Sequence, residues 1–345
     1  MESTQELNIT ATKKAGREKA ILHWLSSTCQ IQPVSLQPMP SDASSRRYFR
    51  LITKEKSLVV MDAPPPQENC HSYVAIAKAL RQMGLSTPDI IEADLHSGFL
   101  LITDFGEATY LRTLTSANAD PLYGEALNAL ANLQACRLVQ DHTVSPFTAN
   151  FMREEWALHK EWVCCKLLGL SLPLAEKELD ACYELLVESA VTQMQCFMHR
   201  DYHSANLMVL PEGGCGILDF QDAFIGPVTY DLASLLRDCY IDWPKERVDH
   251  WAISYLQRLK NRGELKDVTD QTFLRWFDLM GMQRHLKCLM TFARKQVRDH
   301  QPRYLKHIPR ALSYLIHTSH RYPELARLHD YYRITVQPAF LRYMK

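Results

Sequence analysis

The sequence predicts an α+β chain of two unequal lobes, a small antiparallel sheet with one inserted helix followed by a larger, mostly helical lobe. Three observations predict it. Short apolar runs separated by turn residues fill the first ~105 positions. From Glu107 onward the apolar residues recur at helical spacing. One strand-loop-hairpin section, Cys196 to Phe220, interrupts those helices. A length of 345 residues is enough for two units of this kind. The expected division is 1–105 and 106–345.

The elements follow in order. Arg17 to Ser26 reads as a short helix and Val34 to Met39 as a strand. The polar loop Ser41 to Ser45 precedes a strand at Tyr48 to Thr53, a turn at Lys54 to Ser57 and a strand at Leu58 to Ala63. Pro64, Pro65 and Pro66 then stop the sheet, because proline brings no donor to the ladder. Tyr73, Ile76, Ala77 and Leu80 share one face of a helix spanning Tyr73 to Met83, and Gly84 can end it. Ile90 to Ala93 and Phe99 to Thr103 complete about five strands. Helices are then expected over Ala126–Arg137, Phe151–Leu168, Leu174–Gln193 and from Tyr230 to the end.

Composition excludes several function classes. Lys plus Arg and Asp plus Glu both number 39, so the formal charge is zero. That argues against a broad nucleic-acid or anionic-membrane surface. No stretch approaches the ~18 apolar residues of a membrane span. Residues 1–17 are polar, so no leader peptide is expected. The ten cysteines form no CxxC and no zinc-ligand spacing with histidine. The expectation is a cytoplasmic monomer with reduced thiols, without membrane or nucleic-acid partners.

The chemistry concentrates in His199-Arg200-Asp201-Tyr202-His203-Ser204-Ala205-Asn206 and in Gly216-Ile217-Leu218-Asp219-Phe220. Between them Gly213-Gly214 make a turn, so the flanking apolar runs predict an antiparallel hairpin. Centred between Glu212 and Gly213, it sets Asn206 opposite Asp219, two hard oxygen donors at one end. Asp201 lies on the loop leading in. Two oxygen donors and a nearby carboxylate suit Mg²⁺ shared with substrate phosphates. This is the order of the protein-kinase catalytic loop and metal-binding aspartate. Asp201 would accept or orient the acceptor hydroxyl, while Asn206 and Asp219 would ligate the metal. A literal Asp104-Phe105-Gly106 precedes the loop and cannot serve as that aspartate. It is read as the hinge between the lobes, its backbone edge offered to an adenine.

The His-x-Asp-x-x-x-x-Asn loop carrying His203 resembles the aminoglycoside phosphotransferase and choline kinase branch of the protein-kinase-like superfamily. Longer blocks are similar to the anomeric amino-sugar kinases of bacterial cell-wall recycling. These are Ser41 to Arg50, Val60 to Pro65, Phe220 to Ala223, Gly226 to Leu232, Gln283 to Leu286 and Phe292 to Arg294. The resemblance covers residue 20 to the end. It implies a bilobal protein-kinase-like fold with the active site between the lobes. It also implies ATP and Mg²⁺ as cofactors, and transfer to the C1 hydroxyl of N-acetylmuramate and N-acetylglucosamine. A kinase for choline, homoserine or an aminoglycoside, or a nucleotide-binding pseudokinase, are the alternatives. Asp231 would brace the catalytic loop from the following helix. The family's third-strand lysine is absent, since that strand reads Leu58-Val59-Val60-Met61-Asp62. Ser44, Ser45, Arg47 and Arg50, with Arg46, are the candidates to meet the phosphates, and Asp104 and Phe105 to meet the base. Alternation puts Arg47 on the opposite face from Arg46 and Arg50. His203, Asp222, Tyr230 and Arg237 are candidates for the small-molecule amino sugar. Trp156 and Trp162 are read as core aromatics before sugar platforms.

Overall fold

The computed structural model describes residues 16–40, 46–66, 68, 70–171 and 176–345. Ser44, Ser45 and the rest of the loop 41–45 lie outside them. The chain forms two compact units. One comprises the described residues up to Lys78 with Thr87–Gly106, and the other Ala79–Ser86 with Glu107–Lys345.

The first unit is the predicted antiparallel sheet. Its strands are β1 (Ser35–Pro38), β2 (Arg47–Ile52), β3 (Ser57–Asp62), β4 (Ile90–Asp94) and β5 (Phe99–Thr103), in the order β1-β2-β3-β5-β4. Helix α1 (16–27) covers one face, where Ile21, Trp24 and Leu25 pack with Phe49, Leu51, Leu58, Val60, Phe99 and Leu101. Odd positions of β2 therefore face the core and even positions turn away. Central β3 is buried almost throughout, which explains its unbroken Leu-Val-Val-Met run. Buried Asp62 at its end accepts from Arg17 at 2.6 Å and from Arg47 at 2.6 and 3.0 Å. Helix α2 (Cys70–Gln82) follows.

The second unit is built around one 28-residue helix, α9 (Asp270–Val297). It packs against α5 (Ala149–His159), α6 (Glu176–Val191), α7 (Tyr230–Leu236), α8 (Lys245–Asn261) and α10 (Ile308–His320), so it is buried on nearly every side. That is why no single apolar stripe marks it in sequence. Helix α5 continues as a π-helical segment, Lys160–Leu167. Trp156 on α5 is buried and stacked on Tyr183, and its indole donates to Asp180, as a core aromatic should.

Strand β7 (Gln195–Met198) pairs with β10 (Phe224–Pro227), which also pairs with the two-residue β6 (Ser145–Pro146). Strands β8 (Leu207–Val209) and β9 (Cys215–Ile217) form the expected hairpin. Its register corrects the prediction by one residue: Leu207 pairs with Ile217, so Asn206 lies opposite Leu218 and Asp219 falls one step beyond. The turn is the cause. Gly213 N–H closes onto the Leu210 carbonyl, and Gly213 and Gly214 both sit at positive φ, 86° and 89°. That geometry places the apex at Glu212. All ten cysteines are free thiols. Among the described residues no helix is long and apolar enough to cross a membrane.

Candidate active site

The loop between β7 and β8 holds the candidate chemistry in a fixed frame. Asp231, fully buried on the first turn of α7, accepts the His199 N–H at 2.6 Å and the Arg200 N–H at 3.0 Å. The His199 ring adds a second tie. Its Nδ1 accepts from the Asp201 N–H at 3.3 Å, so its Nε2 carries the proton and donates to the Leu218 carbonyl at 2.9 Å. That bond links the loop to the strand leading to Asp219. Two non-glycine residues take left-handed conformations here, Arg200 at φ 76° and Asp219 at φ 62°. Such strain persists only where surroundings over-determine it. The Arg200 carbonyl accepts from Arg284, and its guanidinium lies over Phe224, 4.6 Å from the ring centre.

From the other side Asp238 accepts the Ser204 N–H and hydroxyl and the Tyr240 N–H. Asn206 donates its amide N–H to the Asp201 carbonyl at 3.0 Å, which leaves its carbonyl oxygen as the available donor to a cation. Gln221 holds one Asp219 oxygen at 2.8 Å and reaches Asp222 at 3.2 Å. Asn206 and Asp219 supply only hard oxygen atoms. Among the described residues no cluster of three His, Cys, Asp or Glu side chains is set to hold a metal. Two hard oxygen donors are of the kind that suit a cation sharing its shell with water and phosphate oxygens, as Mg²⁺ does.

Asp201 is 39 % exposed, and two cations face it from α9. Arg284 lies 3.4 Å and Lys287 3.5 Å from its Oδ1. Burial alone would raise the Asp201 carboxyl. Lys287 and Arg284, helped by His203 and Arg200, outweigh it and hold the group well below the usual carboxylate range. Lys287 in turn is raised, its loss of hydration outweighed by Asp201 and Tyr230. Sequence reading names neither α9 cation individually as a site residue. They lie more than 80 positions after Asp201; the sequence offers the His/Arg-rich Gln283 to Arg298 helix as the place for a basic partner to an acidic sugar, without singling out a residue.

The other candidates separate. His203 and Arg237 line a pocket with Asp201, Arg284 and Lys287. Arg237 is ion-paired with buried Asp278, which also takes Arg321 at 2.8 Å. Arg237 crosses α9 at Gly281, where a Cβ would stand 2.9 Å from its Nη1. That close approach accounts for a glycine in mid-helix. Tyr230 lies behind the two α9 cations. It has no exposed surface, and its hydroxyl accepts from Arg284 at 3.2 Å and Lys287 at 3.4 Å. Asp222 is exposed beside Asp219 in sequence.

Within the first unit, Arg47 is bound to Asp62 and, at 3.0 Å, to Glu18 on α1. The Arg50 guanidinium donates to Asp104 at 2.7 Å and to the Gly106 carbonyl at 3.0 Å. The Asp104 carboxylate also accepts from Ser57 and from the Gly106 N–H at 2.8 Å. The Asp104 side chain is thus engaged within the unit. Arg46, on the side opposite Arg47, pairs with Glu68 at 2.7 Å, both side chains 11 % exposed.

Comparison with known proteins sets this geometry in context. Residues 35–269 match the model of the phosphotransferase enzyme family. A Pseudomonas aeruginosa protein named N-acetylmuramate/N-acetylglucosamine kinase is 43% identical over 303 residues, spanning 87% of this chain and 88% of that one. Among solved structures, the choline kinase LicA from Streptococcus pneumoniae superposes with a TM-score of 0.62 at 15% identity, covering 87% of this chain and 99% of LicA. An ADP-bound aminoglycoside phosphotransferase, APH(2'')-Ib, gives 0.58 at 15% identity, with 86% and 97% covered. At that identity these two speak for the fold alone.

Proposed function

The chain belongs to the phosphotransferase enzyme family, and we propose that it uses ATP to phosphorylate the anomeric C1 hydroxyl of N-acetylmuramate and N-acetylglucosamine, yielding the α-1-phosphate. The observation that carries this reading is the Asp201–Asn206–Asp219 frame in a chain 43% identical to a kinase named for those two sugars.

Asp201 orients the attacking hydroxyl and accepts its proton. A carboxylate held this acidic is a weak base, and that is sufficient here. Phosphoryl transfer passes through a loose transition state that asks more for alignment than for proton removal. The anomeric hydroxyl is also more acidic than an ordinary alcohol. Asn206 and Asp219 would hold Mg²⁺, which supplies charge neutralisation at the phosphates when bound. Catalysis is then positioning plus preorganised charge.

On the nucleotide side, Arg46 replaces the missing strand lysine. Its pairing with Glu68 fixes the guanidinium, and Arg offers a bidentate fork to phosphate. The backbone at Asp104 and Phe105 meets the adenine. Arg47 and Arg50 brace the sheet that carries them. His203, Arg237 and Asp222 belong to the acceptor side. Ten free thiols fit a reducing cytoplasm.

The test is ADP release from purified protein, ATP and Mg²⁺ across a panel of acceptors. Turnover with the two amino sugars and none with choline, homoserine or an aminoglycoside is expected. The reverse pattern refutes the proposal.

A further inference from the structure

The acceptor-side pocket carries more positive charge than its aspartate needs. Asp201, His203, Arg284, Lys287, Thr291 and Phe292 are among its walls. The other charged groups nearby are engaged elsewhere, Arg200 with its guanidinium over Phe224 and Phe151. Arg237 and Arg321 share Asp278, and Asp238 is held by Ser204 and the Tyr240 N–H. Two cations from α9, Arg284 and Lys287, lie within 3.5 Å of the single Asp201 carboxylate.

The two cations differ in what they have left to offer. Arg284 donates to the Arg200 carbonyl at 2.9 Å, to Ser234 at 2.8 Å and to Tyr230, with a side chain only 6 % exposed. It is part of the frame. Lys287 has two contacts, 3.5 Å to Asp201 and 3.4 Å to Tyr230. Both exceed the 2.7–3.2 Å range of well-formed N–H···O bonds. Its side chain is 13 % exposed on the pocket wall. A partly dehydrated ammonium with three donors and only long contacts can accept a further anion.

Resting on the function proposed above, we infer that Lys287 binds the carboxylate of an acidic acceptor sugar and sets the preference for N-acetylmuramate over N-acetylglucosamine. Those sugars differ in one feature, the lactyl ether on C3 with its carboxylate. N-acetylglucosamine offers Lys287 only neutral hydroxyls. Charge-assisted bonds are about twice as strong as neutral ones, so the discrimination belongs to this contact.

The experiment compares kcat/KM for the two sugars in wild type, Lys287→Met and Lys287→Arg, all as the full chain with ATP and Mg²⁺. Methionine keeps the length and removes the charge. Loss of the neighbouring cation shifts Asp201 for both acceptors alike, so the ratio between sugars is the readout. Lys287→Met is expected to cut the N-acetylmuramate to N-acetylglucosamine ratio by roughly 10- to 100-fold, chiefly through KM for N-acetylmuramate, with partial rescue in Lys287→Arg. An unchanged ratio overturns the inference, because Lys287 then acts only through Asp201. Should Lys287→Met not fold, an Arg variant with the wild-type ratio and KM also overturns it, since a longer, planar cation cannot keep the same contact. Wild-type protein that turns over neither sugar refutes the parent proposal and this one together; wild type active on both with an unmoved ratio refutes this one alone.

Discussion

Removing the Asp231 carboxylate should loosen the catalytic loop without touching any reacting atom. In Asp231→Ala, the fully buried N–H of His199 and the part-buried N–H of Arg200 lose acceptors at 2.6 and 3.0 Å. An orphaned buried donor costs about 1–3 kcal/mol, so two give about 2–6 kcal/mol. Burial raises the Asp231 carboxyl, a sign that the ion is itself costly to bury, so we expect a net loss near the lower half, about 3 kcal/mol. A domain with ordinary stability of about 5–15 kcal/mol stays folded after that. Turnover should fall at least ~100-fold, the cost of displacing aligned groups by about 1 Å. Asparagine keeps one acceptor but turns an NH₂ toward the other N–H, so Asp231→Asn should lie between. Urea unfolding at unchanged m, with turnover on the same samples, measures both effects. An alanine variant within ~0.5 kcal/mol of wild type and fully active would refute the brace. An asparagine variant equal to wild type would refute the need for two acceptors.

Three other outcomes follow from the same frame. Asp201→Asn should lower transfer by about 10²–10⁴-fold while a nucleotide titration stays near wild type; lost nucleotide binding would contradict its role at the acceptor. Asp219→Ala should move the Mg²⁺ dependence of activity to higher concentration, and an unmoved Mg²⁺ titration would remove it from the metal site. Burial would raise the Asp278 carboxyl, but Arg237, Tyr322 and Arg321 hold it below the usual range. A depressed folded pKa gives stability that is present above the unfolded value, about 3.9, and is lost as pH falls through the folded one. Asp278→Asn should therefore be less stable at pH 7 and show a smaller further loss on going below about pH 4, read from urea midpoints at both pH values; a wild-type midpoint at pH 7 contradicts the triad.

Much of this was legible in sequence where local rules decide. Alternation in Arg47–Ile52 placed Arg47 and Arg50 on opposite faces, and they reach Asp62 and Asp104 respectively. The glycine pair located the hairpin but not its register, because the residue at the apex depends on two positive-φ glycines acting together. Strand β10 was missed because Gly226 and Pro227 argue against a strand; it pairs at a position where Gly226 admits the Met198 sulfur, 2.6 Å from where a Cβ would stand. Tyr230 was singled out from its place after Asp219, but its contacts with Arg284 and Lys287 were not legible, because they depend on how α7 packs on α9. Those two cations could not be assigned by pattern, since only tertiary packing brings α9 to Asp201.

The central claim is tested most directly by the position and configuration of the transferred phosphate. Phosphorus and proton NMR of the product from ATP, Mg²⁺ and N-acetylmuramate should show phosphate coupled to the anomeric proton with the small coupling of an α configuration. Phosphate coupled to the C6 protons, or a reaction that yields ADP with free sugar only, would contradict it.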